Sequence, residues 1–119
     1  MDINKIIVSA LKPIGLEIAE DLYEGDEEEF ITFNMADDIG ADCGDNKPGT
    51  NTIFIQVHYV CPWGKDYAGT RKRIRKALFK AGFTWPEVQE VSDSTDRLRH
   101  IVLECAIDND YDIEEDNDV

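Results

Sequence analysis

The order of elements in this sequence predicts an α+β fold: an antiparallel sheet of four to five strands, open to mixed pairing, with two helices packed on one face. Three observations predict it. An apolar stripe of helical period opens the chain, alternating apolar segments follow, and one basic helical segment separates the early strands from a closing hairpin. The expected order is α-β-β-β-α-β-β. We assign residues 1–107 to a single domain and residues 108–119 to a separate acidic tail.

The first helix is predicted from its cap and its apolar stripe. Asp2 is a suitable N-cap residue, and apolar side chains recur at helical spacing after it, at Ile3, Ile6, Ile7, Ala10 and Leu11. Pro13 and Gly15 end the helix and turn the chain. Leu16, Ile18 and Leu22 then allow a short first strand.

The second strand is predicted over residues 30–35, which are rich in aromatic and β-branched side chains, with Ile31, Phe33 and Met35 on one side. The acidic segment Glu24–Glu29 before it is typical of a solvated turn. Residues 37–51 after it are dense in Gly, Asp, Asn and Pro and predict a loop.

The longest strand pattern runs from Thr52 to Val60 and ends at Cys61–Gly64. Its apolar positions alternate on one side, at Ile53, Ile55, Val57 and Tyr59. Phe54 and Val60 make the opposite side partly apolar, so we expect a central strand with cover on both faces. A second copy of the chain is the simplest cover for the face without helices.

A basic helix is predicted from Asp66 to Ala81, with Gly82 as its left-handed stop. Its expected buried stripe is Tyr67, Ile74, Ala77, Leu78 and Ala81. Arg71 is expected at the rim of that stripe, with Lys72, Arg73, Arg75 and Lys76 facing outward. Residues 65–80 hold seven of the twelve Lys and Arg residues against one acid, a charge of +6 in a chain whose net charge is −14.

Two further strands are predicted at Val88–Val91 and Leu98–Ile107, joined as a hairpin by the turn at Ser92–Asp96. Beyond Ile107, the twelve residues from Asp108 to Val119 contain seven acids and no base. Like-charge repulsion and scarce apolar surface predict that this tail does not order alone.

No feature of the sequence indicates catalysis, a cofactor or a membrane span. Nucleotide-binding, zinc-protease, serine-hydrolase and EF-hand motifs are missing, as are an apolar run of about 18 residues and a signal peptide, so we expect a soluble intracellular protein that is not an enzyme. Cys43, Cys61 and Cys105 form no paired motif and predict reduced thiols. For Cys61, a small buried hydrophobe is favoured over a reactive thiol.

His58 and His100 both lie within predicted strands and are the one candidate constellation for acid/base or metal chemistry. If their strands were neighbours, the two rings would approach each other or Glu104. The favoured interpretation is two partly buried or interface histidines.

Several segments together resemble a family of small phage and prophage proteins that complete or terminate the tail and join it to the head. They are DINKIIVSALKPIGL, DLYEGDEEEFITFNMAD, TIFIQVHYVCPWGKDY with the helix after it, the AGF turn, and HIVLECAI. The resemblance spans Asp2 to about Ile107. It implies an α+β fold with two helices, no enzymatic activity, no cofactor, and ring-forming subunits, often hexameric, at the end of the tail tube. It implies assembly in the cytoplasm of a host bacterium and a final place in the virion tail, with tail-tube and head-connector proteins as partners.

The charge pattern predicts where such partners bind. We expect the basic residues Arg71, Arg73, Arg75 and Lys76 to contact either the acidic turn of a neighbouring subunit, including Glu27 and Glu28, or a tail partner. Phe54, Trp63 and Trp85 are expected to act as apolar anchors. The alternative is a small acidic inhibitor or DNA mimic that binds a basic partner. Nucleic-acid binding is disfavoured, since a net charge of −14 repels a polyanion.

Overall fold

In the computed structural model, which describes residues 2–40 and 50–110, the chain forms a five-stranded mixed sheet with two helices. This confirms the predicted α+β class. In chain order the elements are α1 Ile3–Leu11, a 3-10 turn Lys12–Ile14, β1 Glu17–Glu20, β2 Phe30–Gly40, β3 Thr50–Pro62, α2 Tyr67–Lys80, β4 Glu87–Glu90 and β5 Leu98–Asp110.

The strands lie in the order β1-β2-β3-β5-β4, so β3 is central, as its two-sided apolar pattern predicts. The edge pair β1 and β2 is parallel, and every other pairing is antiparallel. The longest ladder joins β3 to β5, from Thr50 opposite Asp110 to Pro62 opposite Leu98. These two strands therefore form the most extensive pairing of the sheet.

The core lies between the sheet and the two helices. Alternate residues of the central strands point to this side and are buried, at Ile53, Ile55, Val57, Tyr59 and Cys61 of β3 and at Ile101, Leu103, Cys105 and Ile107 of β5. The helices cover them with Ile3, Ile7 and Leu11 of α1 and with Ile74 and Leu78 of α2. Both helices lie on one face, which confirms the prediction.

The helix ends follow the sequence signals. The Asp2 carboxylate accepts a hydrogen bond from the Lys5 backbone N–H at 3.2 Å, as an N-cap does. After α2, Gly82 has a φ of +110°, a backbone conformation that glycine adopts without steric cost. Asp66 precedes α2 but makes no capping hydrogen bond with its side chain.

The predicted loop at residues 37–51 is wrong at both of its ends. Strand β2 continues to Gly40 and β3 begins at Thr50, and residues 41–49 lie outside the described part of the chain. Backbone pairing with β3 extends β2 through residues of low strand propensity, after a register shift between Met35 and Asp37.

Two further expectations differ from the structure: the environment of Met35 and the end of the last strand. Met35 lies opposite Ile55 on the helix side but is 52% exposed, because β1 pairs only as far as Phe33 and leaves it uncovered. Strand β5 continues three residues past Ile107 to Asp110, because those residues pair with the start of β3. Residues 111–119 of the predicted tail lie outside the described residues.

Neighbouring residues of α1 give a matched test of this packing. Ile7 is 1% exposed and Val8 is 40% exposed. We expect Ile7→Ala to lower the free energy of unfolding by about 2–5 kcal/mol, because it leaves a cavity under the helix. Val8→Ala should change it by no more than about 0.5 kcal/mol. Urea unfolding measures both, and equal effects would contradict the placement of α1.

Candidate interaction surfaces

The face that carries the helices has a basic groove between α1 and α2, with a volume of about 720 Å³. Its floor is largely apolar and consists mainly of Ile6, Ala10, Ile14, Ala77 and Ala81. Four cations stand around that floor: Lys5, Arg73, Lys76 and Lys80. None of the residues that line the groove is acidic.

The spacing of the cations along α2 produces this arrangement. Arg73, Lys76 and Lys80 are three and four residues apart, so they share one side of the helix, and all three are exposed. Arg73 also reaches the end of α1, where its guanidinium lies 3.4 Å from the Pro13 carbonyl oxygen. The Lys80 end of α2 therefore lies towards the beginning of α1, where Lys5 completes the rim.

The structure divides the predicted basic set into two pairs. Arg73 and Lys76 line the groove, whereas Arg71 and Arg75 stack on aromatic rings of their own chain. The Arg71 guanidinium lies 5.5 Å from the Tyr67 ring centre. Arg75 is half-buried, lies 4.9 Å from the Trp85 ring centre and donates a 3.0 Å hydrogen bond to the Pro86 carbonyl. The expectation that Arg75 faces outward is therefore wrong, because Trp85 and Pro86 fold back over it.

In the acidic turn Glu24–Glu29, which was predicted to contact a neighbour, two carboxylates bind groups of the same chain. Glu28 pairs with Arg97. Glu29 accepts a 2.6 Å hydrogen bond from the Tyr59 hydroxyl and lies 3.2 Å from the Lys65 ammonium. Glu27 is exposed, and its backbone N–H donates to the Tyr23 hydroxyl. Two of the five carboxylates of this turn, those of Glu28 and Glu29, are thus paired with cations of the same chain.

Of the three predicted apolar anchors, Trp85 is 46% exposed and stacks with Arg75, and Trp63 and Phe54 are each 39% exposed. Trp63 is held by its own chain: its indole N–H donates to the Asp96 carbonyl at 2.7 Å, and the Arg99 guanidinium lies 4.6 Å from its ring centre. Phe54 is different, because it lies on the side of the sheet opposite the helices, next to Ala106 of β5. It is the better placed of the two for contact with another molecule.

This second surface, the open sheet face, is acidic. Strand register places five carboxylates on it, one or two from each strand except β3: Glu17, Asp37, Glu87, Glu104 and Asp108. Among the described strand positions that point to this face, none is Lys or Arg. The two sides of the sheet therefore carry opposite charges.

A chain of polar side chains crosses the open sheet face between β5 and β2. His100 Nε2 lies 2.8 Å from His58 Nδ1, and His58 Nε2 lies 3.0 Å from Asn34 Oδ1. Asn34 then donates to Gln56 Oε1 at 3.4 Å, and Gln56 donates to Glu104 Oε2 at 3.2 Å.

The acceptors fix where the protons lie in this chain. An amide oxygen only accepts, so His58 must carry its proton on Nε2 to bond Asn34. The neutral His58 ring then accepts at Nδ1 from the Nε2–H of His100. All the hydrogen bonds of this side-chain series therefore run in one direction, each residue donating to the next, from His100 to the Glu104 carboxylate.

The environment of the two histidines keeps them neutral. Burial lowers the pKa of both rings, and the neighbouring charge of His100 lowers the pKa of His58 further, against a smaller opposing effect of Glu104. The predicted approach of the two rings is confirmed, since β3 and β5 are neighbours. Within residues 2–40 and 50–110, no group of three or more His, Cys, Asp or Glu side chains could hold a metal ion.

The two described cysteines are buried. Burial raises the pKa of the Cys61 thiol and raises that of Cys105 to about 12. A raised pKa disfavours the reactive thiolate, which agrees with the interpretation of Cys61 as a small buried hydrophobe.

Sequence reasoning missed two parts of these surfaces. Lys80 has the same helical spacing as Arg73 and Lys76, so the pattern could have included it. Lys5 could not be found this way, because it joins the rim only through the packing of α1 on α2. No helix in the described part of the chain is long and apolar enough to cross a membrane.

Comparison with known proteins supports the fold and no more. No protein family matches the sequence, and no curated protein matches it. A solved structure of a protein whose name states no function is similar, with a TM-score of 0.52 and 13% identity over 88% of this chain and 94% of the other. At that identity the similarity extends to architecture alone.

The histidine pair gives a direct pH prediction. These are the only two histidines in the chain, so their imidazole NMR signals can be assigned to the pair. We expect both titration midpoints below the ordinary value of 6.5, with His58 protonated at Nε2 in the neutral state.

The lowered pKa values also set the sign of a stability effect. Below pH 6.5 the unfolded chain binds protons that the folded pair resists, so the free energy of unfolding falls as pH decreases through this range. The double variant His58→Gln, His100→Gln should show a smaller loss between pH 7.5 and pH 5 in urea unfolding. Ordinary midpoints, or an unchanged loss, would contradict the paired geometry.

Proposed function

We propose that this protein is a non-enzymatic structural subunit of a phage or prophage tail, which completes the end of the tail tube and joins it to the head as a ring-forming oligomer. It would be made in the cytoplasm of the host bacterium and end in the virion tail. The resemblance over residues 2–107 supports this proposal. The α+β fold with two helices is also the one that the resemblance implies.

The observation that carries the proposal is the placement of opposite charges on opposite sides of the sheet. A closed ring with head-to-tail contacts needs two different surfaces on each subunit. Here the basic groove lies on the helix side, and the open sheet face with its five carboxylates lies behind it. Complementary potentials of this kind guide encounter and set the register between subunits.

In the proposed contact, the basic groove of one subunit faces the open sheet face of the next. Arg73 and Lys76 would lie against Glu104, and Phe54 would supply apolar contact area. The acidic turn is a weaker partner than we expected from the sequence, because Glu28 and Glu29 are already paired within the chain.

A charge reversal in the groove tests this contact. We expect Arg73→Glu with Lys76→Glu to weaken assembly on the order of tenfold or more, since each unit of about 1.4 kcal/mol changes an affinity tenfold. Arg75 is left unchanged, because it is bonded to Pro86 and its loss would disturb the fold. Sedimentation over a range of protein concentrations measures assembly, and binding to purified tail tubes replaces it if the isolated chain is monomeric.

Two controls make the result specific. Lys72→Glu changes an exposed charge on the same helix that does not line the groove, so it should have little effect. Adding Glu104→Lys to the double variant should restore part of the lost affinity. Assembly and salt dependence that are unchanged in the double variant would refute the contact.

A further inference from the structure

The open sheet face carries a second concavity, with a volume of about 300 Å³, at the two histidines. Its floor consists of side chains from three neighbouring strands: Phe30 and Thr32 of β2, His58 and Val60 of β3, and His100 of β5. Residues 21–23, directly after β1, form its wall, where the Tyr23 ring stacks on Phe30 with 4.2 Å between the ring centres. We call this concavity the histidine pocket.

The backbone at Asp21 sets the position of the wall. Asp21 has a φ of +64°, a conformation that few residues other than glycine adopt and that Asp and Asn tolerate better than most. Its N–H donates to the Phe33 carbonyl at 2.9 Å, which holds the turn against β2. The Asp21 side chain is exposed and makes no hydrogen bond or ion pair with another described residue. The histidine pocket therefore has an unpaired carboxylate at its wall.

The direction of the hydrogen bonds leaves a second acceptor in the histidine pocket. His100 donates to His58 from Nε2, because the series ends at the Glu104 carboxylate, which only accepts. A neutral imidazole carries one proton, so Nδ1 of His100 is an acceptor. Among residues 2–40 and 50–110, no group donates a hydrogen bond to it. Asp21 and His100 thus offer acceptors to the same pocket.

These features select a flat cation that donates hydrogen bonds. None of the residues that line the histidine pocket is Lys or Arg, so the Asp21 carboxylate has no cation there. An arginine guanidinium is positively charged, has five N–H donors in a fixed plane and stacks on aromatic rings such as Tyr23. A lysine ammonium fits less well, because it is a compact and strongly hydrated charge without a flat face.

We propose that the histidine pocket receives one arginine side chain from the surface that binds the open sheet face, with the guanidinium against Tyr23 and donating to Asp21 and His100. The inference stands on the lining of this pocket and does not require the proposed role in a phage tail. It also involves no residue of the basic groove. Charge reversal in the groove and the test of this pocket can therefore fail separately.

NMR titration of the full chain with a capped arginine, N-acetylarginine N-methylamide, tests the proposal, because this probe carries the side chain as a protein does. The only two histidines of the chain both line the pocket, so their imidazole signals report binding directly. At pH 7.5 we expect saturable shifts with a dissociation constant on the order of millimolar. The capped citrulline has the same shape without the charge and should bind at least about fivefold more weakly.

Two variants locate the binding. Asp21→Asn removes the charge and keeps a residue that tolerates the same backbone conformation, so it should weaken binding of the capped arginine about fivefold. Asp26→Asn removes an exposed charge that follows in the same segment and does not line the pocket. It should change the affinity by less than about twofold.

Other results would overturn the proposal. Equal binding of the arginine and citrulline derivatives would show that the pocket does not select a cation. Equal losses in the two variants would assign the binding to the general charge of the surface, and no saturable shift up to about 50 mM would show that the pocket binds no guanidinium. Free arginine that binds about tenfold more tightly than the capped form would make this a small-molecule site instead of a protein contact.

Discussion

The ladder between β3 and β5 is the constraint on which the rest of the structure depends. Because side chains alternate across a strand, this one ladder sends Ile55, Val57 and Leu103 to the helices and sends His58, Gln56 and Glu104 to the opposite side. A shift of one residue would exchange the two sets and bury the polar chain under α1 and α2. Burial of apolar side chains on one side therefore also fixes the positions of the charged and polar groups on the other.

On the helix side of the sheet, the packing of α1 and α2 creates the basic groove. Their apolar stripes attach them to the sheet, and the side of each helix that turns away from the sheet is left to line a groove between them. On α2 the buried positions Ile74 and Leu78 alternate with Arg73, Lys76 and Lys80, so the packing of the core itself determines where the cations stand. The molecule can carry −14 overall and still present a concentrated positive site.

Most of the fold could be predicted from the sequence, because the patterns that determine its helices and strands are local. The cap at Asp2, the alternation from Ile53 to Tyr59 and the stop at Gly82 each act within a few residues. The extension of β2 to Gly40 was missed, because pairing with a distant strand overrode weak local propensity. The candidate interaction surfaces were harder still to predict from the sequence. The basic helix was evident, but Arg75 was assigned to the wrong environment, and the acidic open sheet face emerges only when five residues from four strands are aligned.

The balance of forces on the two surfaces suggests how an interaction here would be controlled. Exposed ion pairs contribute about 1 kcal/mol or less each, so the cations of the groove give direction and rate more than affinity. Lasting affinity must come from apolar contact, on the groove floor around Ile6 and Ala77 or at Phe54 on the open sheet face. A partner that combines carboxylates with apolar area would satisfy both parts of the groove, which makes the groove selective for a surface with both properties.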